Sequence, residues 1–133
     1  MGMDTGQERD CKVRVLVVDD DVRILRFMRS SLTVAGYAVV TATNGEEALR
    51  LLDSEKPDVM LLDMVMPVMD GFEVLQRLRA VSELPVIAIS AHATAAEKAL
   101  SLGANKFMAK PFRPDELVTT IKTLLSHNGD HPV

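Results

Sequence analysis

Four separated stretches of this 133-residue chain place a polar side chain directly after an apolar run. Asp19, Asp20 and Asp21 follow VLVV, Asp63 follows VMLL, Ser90 follows PVIAI, and Lys110 follows KFMA. Each alone has an ordinary structural use, since an aspartate before a helix caps it, a serine after a strand turns the chain and a lone lysine is solvated. Jointly they point elsewhere. Carboxylates crowded within a few ångströms repel by about 4 kcal/mol per close pair at an effective dielectric of about 20, a cost that a cap does not require. A divalent cation removes it, and hard oxygen ligands without cysteine or histidine among them suit Mg²⁺ better than zinc or copper. With an acceptor aspartate, a hydroxyl and a lysine added, the set is equipment for moving a phosphoryl group onto a carboxylate. Metal and ammonium neutralise the transferring oxygens while the acceptor aspartate attacks in line, and no base is needed because an ionised carboxylate is already the nucleophile.

Those residues converge only if the apolar runs are neighbouring parallel strands. The runs at 13–18, 38–41, 59–62, 85–89 and 106–109 are nearly continuous, as strands buried on both faces require. Segments of helical period separate them. The first, 22–35, sets Leu25, Met28, Leu32 and Ala35 on one stripe and stops at Gly36. Asn44 with Glu47, Asp70 with Glu73 and Thr94 with Glu97 each predict a capping side chain three residues before a glutamate that caps back. Gly103 ends the fourth helix, and the fifth starts at Pro114 with Leu117, Ile121, Leu124 and Leu125 on its apolar stripe. The expected fold is therefore α/β, five βα units around a parallel sheet, with ligands gathering beyond the carboxyl ends of the strands.

Composition sets the outer limits. The length suits one domain, read as a leader at 1–11, a folded domain at 12–126 and a tail at 127–133. No apolar run approaches the roughly 20 residues of a membrane span, and no signal-peptide core opens the chain, so a cytoplasmic protein without membrane insertion is expected. Fifteen basic against nineteen acidic residues argue against direct nucleic-acid binding. The segment 94–126 is nevertheless basic, with five basic and three acidic residues. Cys11, the only cysteine, excludes an internal disulfide.

The runs VLVVDDD (15–21), PDVMLLDMVMPVMDG (57–71), PVIAISA (85–91) and KFMAKPF (106–112) resemble those of response-regulator receiver domains of two-component signalling. The resemblance spans about 12–126. It implies a (βα)5 doubly wound, flavodoxin-like domain with strand order 2-1-3-4-5. It also implies a signalling switch, not an enzyme with an external substrate, that takes phosphate from a sensor histidine kinase or a histidine phosphotransfer protein. Asp63 matches the phosphoacceptor and one of the Mg²⁺ ligands, Asp20 the direct Mg²⁺ ligand, Asp19 its partner through water, and the backbone carbonyl of Val65 a further ligand. Lys110 matches the lysine that pairs with the acceptor and then the phosphoryl oxygens. Ser90 matches the hydroxyl that swings to bond the phosphate, and Phe107 the aromatic switch. The output is expected through a protein target on the face built from the fourth and fifth helices and the fifth strand. The resemblance further implies a cis Lys110–Pro111 bond, a form that an X-Pro bond disfavours by only about 0.5–1 kcal/mol.

Two departures matter. Ser90 keeps a hydroxyl but lacks threonine's methyl, and Phe107 lacks a tyrosine's hydroxyl. In the family, the second residue after the acceptor tunes dephosphorylation, and apolar Val65 is expected to slow it. An alternative class, a Mg²⁺-dependent phosphatase of the haloacid-dehalogenase type, is expected to carry an acid/base aspartate at position 65, where this chain has valine. A further alternative is the receiver piece of a longer regulator with a DNA-binding or enzymatic output. Met60, Met64, Met66 and Met69 read as flexible apolar filling, since thioethers favour soft metals. His92 reads as an exposed loop residue.

Overall fold

A computed structural model describes residues 12–130. Five strands and five helices alternate: β1 (Arg14–Val18), α1 (Val22–Val34), β2 (Ala38–Ala42), α2 (Gly45–Glu55), β3 (Val59–Asp63), α3 (Gly71–Arg79), β4 (Val86–Ser90), α4 (Ala95–Ser101), β5 (Lys106–Ala109) and α5 (Pro114–Asp130). All strand pairings are parallel, in the order β2-β1-β3-β4-β5.

The period of two along each strand sorts the core into two layers. Leu16, Val18, Met60, Leu62 and Ala88 face one side and pack with Ala48, Val74, Leu75 and Ala99 of α2, α3 and α4. Val15, Val17, Leu61, Ile87 and Ile89 face the other and pack with Leu25, Met28 and Leu32 of α1 and with Leu117, Ile121 and Leu124 of α5. Being covered twice, β3 and β4 are buried along their whole lengths, whereas edge strands β2 and β5 are only partly so. The continuous apolar runs of the sequence thus reflect the two-sided burial of the central strands.

Helix ends follow the expected chemistry in most places. Asn44 and Asp70 accept hydrogen bonds from Glu47 N and Glu73 N, and Gly36 and Gly103 take the positive φ angles that end their helices. Glu47 caps back to Thr43 N, while Glu73 instead pairs with Arg77. Thr94 makes no side-chain cap: its backbone is already helical, following turn bonds from Ala95 N to His92 O and from Ala96 N to Ala93 O. Ala35 is exposed, because α1 ends at Val34. At the other end, α5 runs on to Asp130, so residues 127–130 of the expected tail are helical. Once Leu117, Ile121 and Leu124 anchor the helix, each added turn needs only its own backbone hydrogen bonds. The expected leader at 1–11 and residues 131–133 lie outside the described residues. No described helix is long and apolar enough to cross a membrane.

Candidate functional site

Strand order reverses between β1 and β3, and the carboxyl ends of those two strands carry Asp19, Asp20 and Asp63. One carboxylate oxygen from each lies within 4.8 Å of the others. Asp21, the third aspartate of the run, does something else. Its side chain accepts Arg23 N at 2.9 Å as the N-cap of α1, and the Arg23 guanidinium holds its carboxyl below the usual range. The DDD run therefore splits, and the third carboxylate of the cluster comes from a strand more than forty residues away.

Burial and local hydrogen bonds fix the geometry. Asp19 is 1% exposed; its Oδ1 accepts Asp21 N at 2.9 Å and its Oδ2 accepts Lys110 Nζ at 3.2 Å. Asp63, 5% exposed, accepts Val65 N at 3.2 Å through Oδ1, and Lys110 Nζ stands 3.7 Å from the same oxygen. Asp20 is exposed and supplies the solvent side of the cluster. Burial, followed by the charge of Asp19, pushes Asp63 up to about 6, against the pull of Lys110 and the Val65 N–H. Three carboxylates facing one ammonium leave an excess of negative charge, and the free oxygens are hard donors, so the residues fit Mg²⁺. Among the described residues, no backbone hydrogen bond ends on the Val65 carbonyl, which leaves it available as a ligand.

Ser90 and Lys110 reach the same edge, and Phe107 lies further back on β5. Ser90 closes β4, buried, with its Oγ accepting His92 N at 3.0 Å and its carbonyl accepting Lys110 N at 2.9 Å. That second bond ties the β5–α5 loop to β4 and aims the lysine inward. The Lys110–Pro111 bond is cis, as the resemblance implied. Phe107 pairs with Ala88 across β4 and β5 and lies partly buried against the α2–α4 layer, whereas His92 is exposed. Gly71 makes the loop after Asp63 possible: a Cβ there would collide with Asp63 O and stand 2.6 Å from Met64 Cα.

Sequence reasoning missed one feature beside the site. Ile24, Phe27, Pro111 and Phe112 line an apolar hollow of about 210 Å³ against the Lys110 stem, and Phe27 remains 42% exposed. Helical period places Phe27 away from the core stripe, which is the one signal that could have found it.

Fold and site together define a parallel α/β domain with an acidic cluster, a hydroxyl and a lysine at its topological switch point. Residues 15–122 match the response regulator receiver domain family, and the chain belongs to that family of two-component signalling proteins. It is 43% identical over 116 residues to the probable transcriptional regulator ycf27 of Cyanophora paradoxa, covering 86% of this chain and 48% of that protein. It is 42% identical over 116 residues to the transcriptional regulatory protein KdpE of Mycobacterium tuberculosis, covering 86% and 51%. The chain thus spans about half the length of the curated relatives it matches. Among solved structures, the chemotaxis protein CheY4 of Vibrio cholerae superposes with a TM-score of 0.80 at 32% identity, covering 85% of this chain and 98% of that one.

Proposed function

We propose that this receiver domain takes a phosphoryl group onto Asp63 from a phosphohistidine of a sensor kinase or phosphotransfer protein and thereby switches a protein-binding face. The observation that carries this reading is the meeting of Asp19, Asp20 and Asp63 within 4.8 Å, with Lys110 reaching both buried carboxylates. Asp19, Asp20, Asp63 and the Val65 carbonyl would hold Mg²⁺, which supplies charge neutralisation for the transferring phosphoryl oxygens. An Asp63 oxygen bonds to phosphorus as the donor's P–N bond breaks, and the electron pair of that bond leaves on the imidazole nitrogen. Lys110 pairs with the oxygens that gain charge. The Ser90 hydroxyl gives up His92 N to donate to a phosphoryl oxygen, and Phe107 follows it inward.

The phosphodonor approaches over α1, where the hollow around Phe27 adjoins Lys110 and the helix carries Arg23, Arg26 and Arg29 with no acidic residue. Output runs through α4, β5 and α5, where exposed Lys106 lies on the edge strand. The exposed Val65 side chain offers no hydrogen bond to an attacking water, which favours a long-lived phosphorylated form. The relatives' lengths support a role as the input domain of a regulator with a separate output domain. The test is intact mass after incubation with acetyl phosphate and Mg²⁺: one phosphoryl group adds to wild type, and none adds without metal. Failure to add phosphate, together with failure to bind beryllofluoride, would overturn the reading in favour of a phosphorylation-independent binding module.

A further inference from the structure

The methionines around Asp63 divide into two kinds. Met60 lies within β3 and Met64 directly follows it, donating to Ile89 O, and both are fully buried. Met66 and Met69 sit in the loop between β3 and α3 and keep 7% and 8% exposure. Among the described residues, no backbone–backbone hydrogen bond is made by residues 66–69. Between its ends, the loop is therefore held by side chains. Val68 contributes nothing, being fully exposed at φ 67°, whereas Met66 and Met69 join the core layer of Leu62, Val74 and Leu75. The seat of Met69 is tight: a Cβ on Gly45 would stand 2.9 Å from its Sδ and 3.2 Å from its Cγ, so the thioether rests on the first residue of α2.

We infer that Met66 and Met69 are an oxidation-sensitive tether of the acceptor loop, and that peroxide-class oxidants convert them to sulfoxides and so reduce phosphoryl acceptance at Asp63. The inference rests on the reading of Asp63 as acceptor. In the step, a sulfur lone pair takes one peroxide oxygen, the O–O bond breaks, and the second oxygen leaves as water after proton transfer. The thioether is oxidised by two electrons and the peroxide reduced by two. Few backbone bonds make local opening of the loop cheap, which admits a small oxidant. A sulfoxide cannot return to an apolar seat without burying an unpartnered oxygen, so the loop stays displaced. The Val65 N–H that orients Asp63 Oδ1 moves with it. Met28, 1% exposed, lies within α1, and Met108, at 9% no less exposed than the loop pair, lies within β5, so for both regular backbone hydrogen bonds restrain opening and the contrast rests on the backbone.

The test treats the full chain, with Cys11 alkylated, with graded hydrogen peroxide and follows it by peptide mass and by labelling with acetyl phosphate and Mg²⁺. Within residues 12–130, sulfoxides are expected first at Met66 and Met69, with labelling lost in proportion and restored by methionine sulfoxide reductases. The Met66→Leu/Met69→Leu variant, close in volume, is expected to label like wild type and to keep its labelling after peroxide. Oxidation of other core methionines first, or full labelling with both sulfoxides formed, overturns the inference. If untreated protein fails to label, the acceptor reading falls, and hydrogen exchange over residues 64–70 still decides the tether: faster exchange after oxidation supports it, and unchanged exchange refutes it.

Discussion

Lys110 Nζ stands 3.2 Å from Asp19 Oδ2 and 3.7 Å from Asp63 Oδ1, so one ammonium bridges the two buried carboxylates from β1 and β3. Its position follows from the backbone, because Lys110 N donates to Ser90 O and the side chain then points back over the sheet edge. On the proposed reading, a lysine held this way neutralises Asp63 before transfer and a phosphoryl oxygen after it.

Removing that charge should separate binding from chemistry. Lys110→Ala is expected to bind Mg²⁺ at least as tightly as wild type, since the site becomes more negative, but to label with acetyl phosphate roughly 100-fold more slowly, the usual scale for losing one preorganised charge at a transition state. Calorimetry and time-resolved intact mass would check the two halves. Equal loss of metal binding and labelling would instead make Lys110 a structural support.

The raised pKa of Asp63 predicts a pH signature. Its folded value, about 6, exceeds the ordinary 3.8, so the folded chain binds more protons than the unfolded chain between those values, and stability falls as pH rises through the window. The contribution is complete below about pH 4 and lost above about pH 6, amounting to no more than about 3 kcal/mol. Urea unfolding in EDTA between pH 4.5 and 7.5 should show this slope in wild type and lack it in Asp63→Asn. Added Mg²⁺ should stabilise wild type more at pH 7.5 than at pH 5. Parallel profiles for the two proteins would contradict the assignment.

The acceptor loop contains a correctable strain. Val68 is β-branched, exposed and at φ 67°, a region where such residues cost about 1–2 kcal/mol. Val68→Gly should gain roughly 0.5–1 kcal/mol after glycine's greater loss of entropy on folding. Gly71→Ala should do the reverse, by about 2 kcal/mol or more, because its Cβ would meet backbone atoms of Asp63 and Met64. Chemical denaturation of both variants checks the pair, and a neutral Gly71→Ala would mean that the loop yields easily.

Much of this was legible in the residues, for definable reasons. Two-sided burial writes the central strands as continuous apolar runs, and the runs of edge strands β2 and β5 stood out by their spacing between helical segments, so the strand ends located Asp63, Ser90 and Lys110. Contacts between distant segments left fainter traces. Nothing in DDD alone says which of its carboxylates caps α1 and which two stand beside Asp63, because that choice is made by how the chain leaves β1. Thr94 has the right spacing for a cap but sits in a turn that has already adopted helical dihedrals. Arg79 reads as one more surface charge, yet its guanidinium donates to Gly103 O, Ser82 O and Asn105 Oδ1, joining the end of α3 to the start of β5. Those acceptors are assembled by the fold, and no local pattern announces them.

Donor choice should depend on α1 more than on the reacting groups. Phe27→Ala is expected to leave labelling by acetyl phosphate unchanged, since the small donor needs no docking surface, and to slow transfer from a phosphorylated histidine partner about tenfold or more, as losing an aromatic anchor does. Equal rates from the protein donor would remove the hollow from the account.

The central claim is that Asp63 itself carries the phosphate. Borohydride reduction of the acyl phosphate after labelling with acetyl phosphate and Mg²⁺, followed by tandem mass spectrometry, reads the modified residue directly. The account predicts homoserine at position 63, and no reduced residue in Asp63→Asn or in EDTA. Reduction at Asp19 or Asp20, or undiminished labelling of Asp63→Asn, would contradict it.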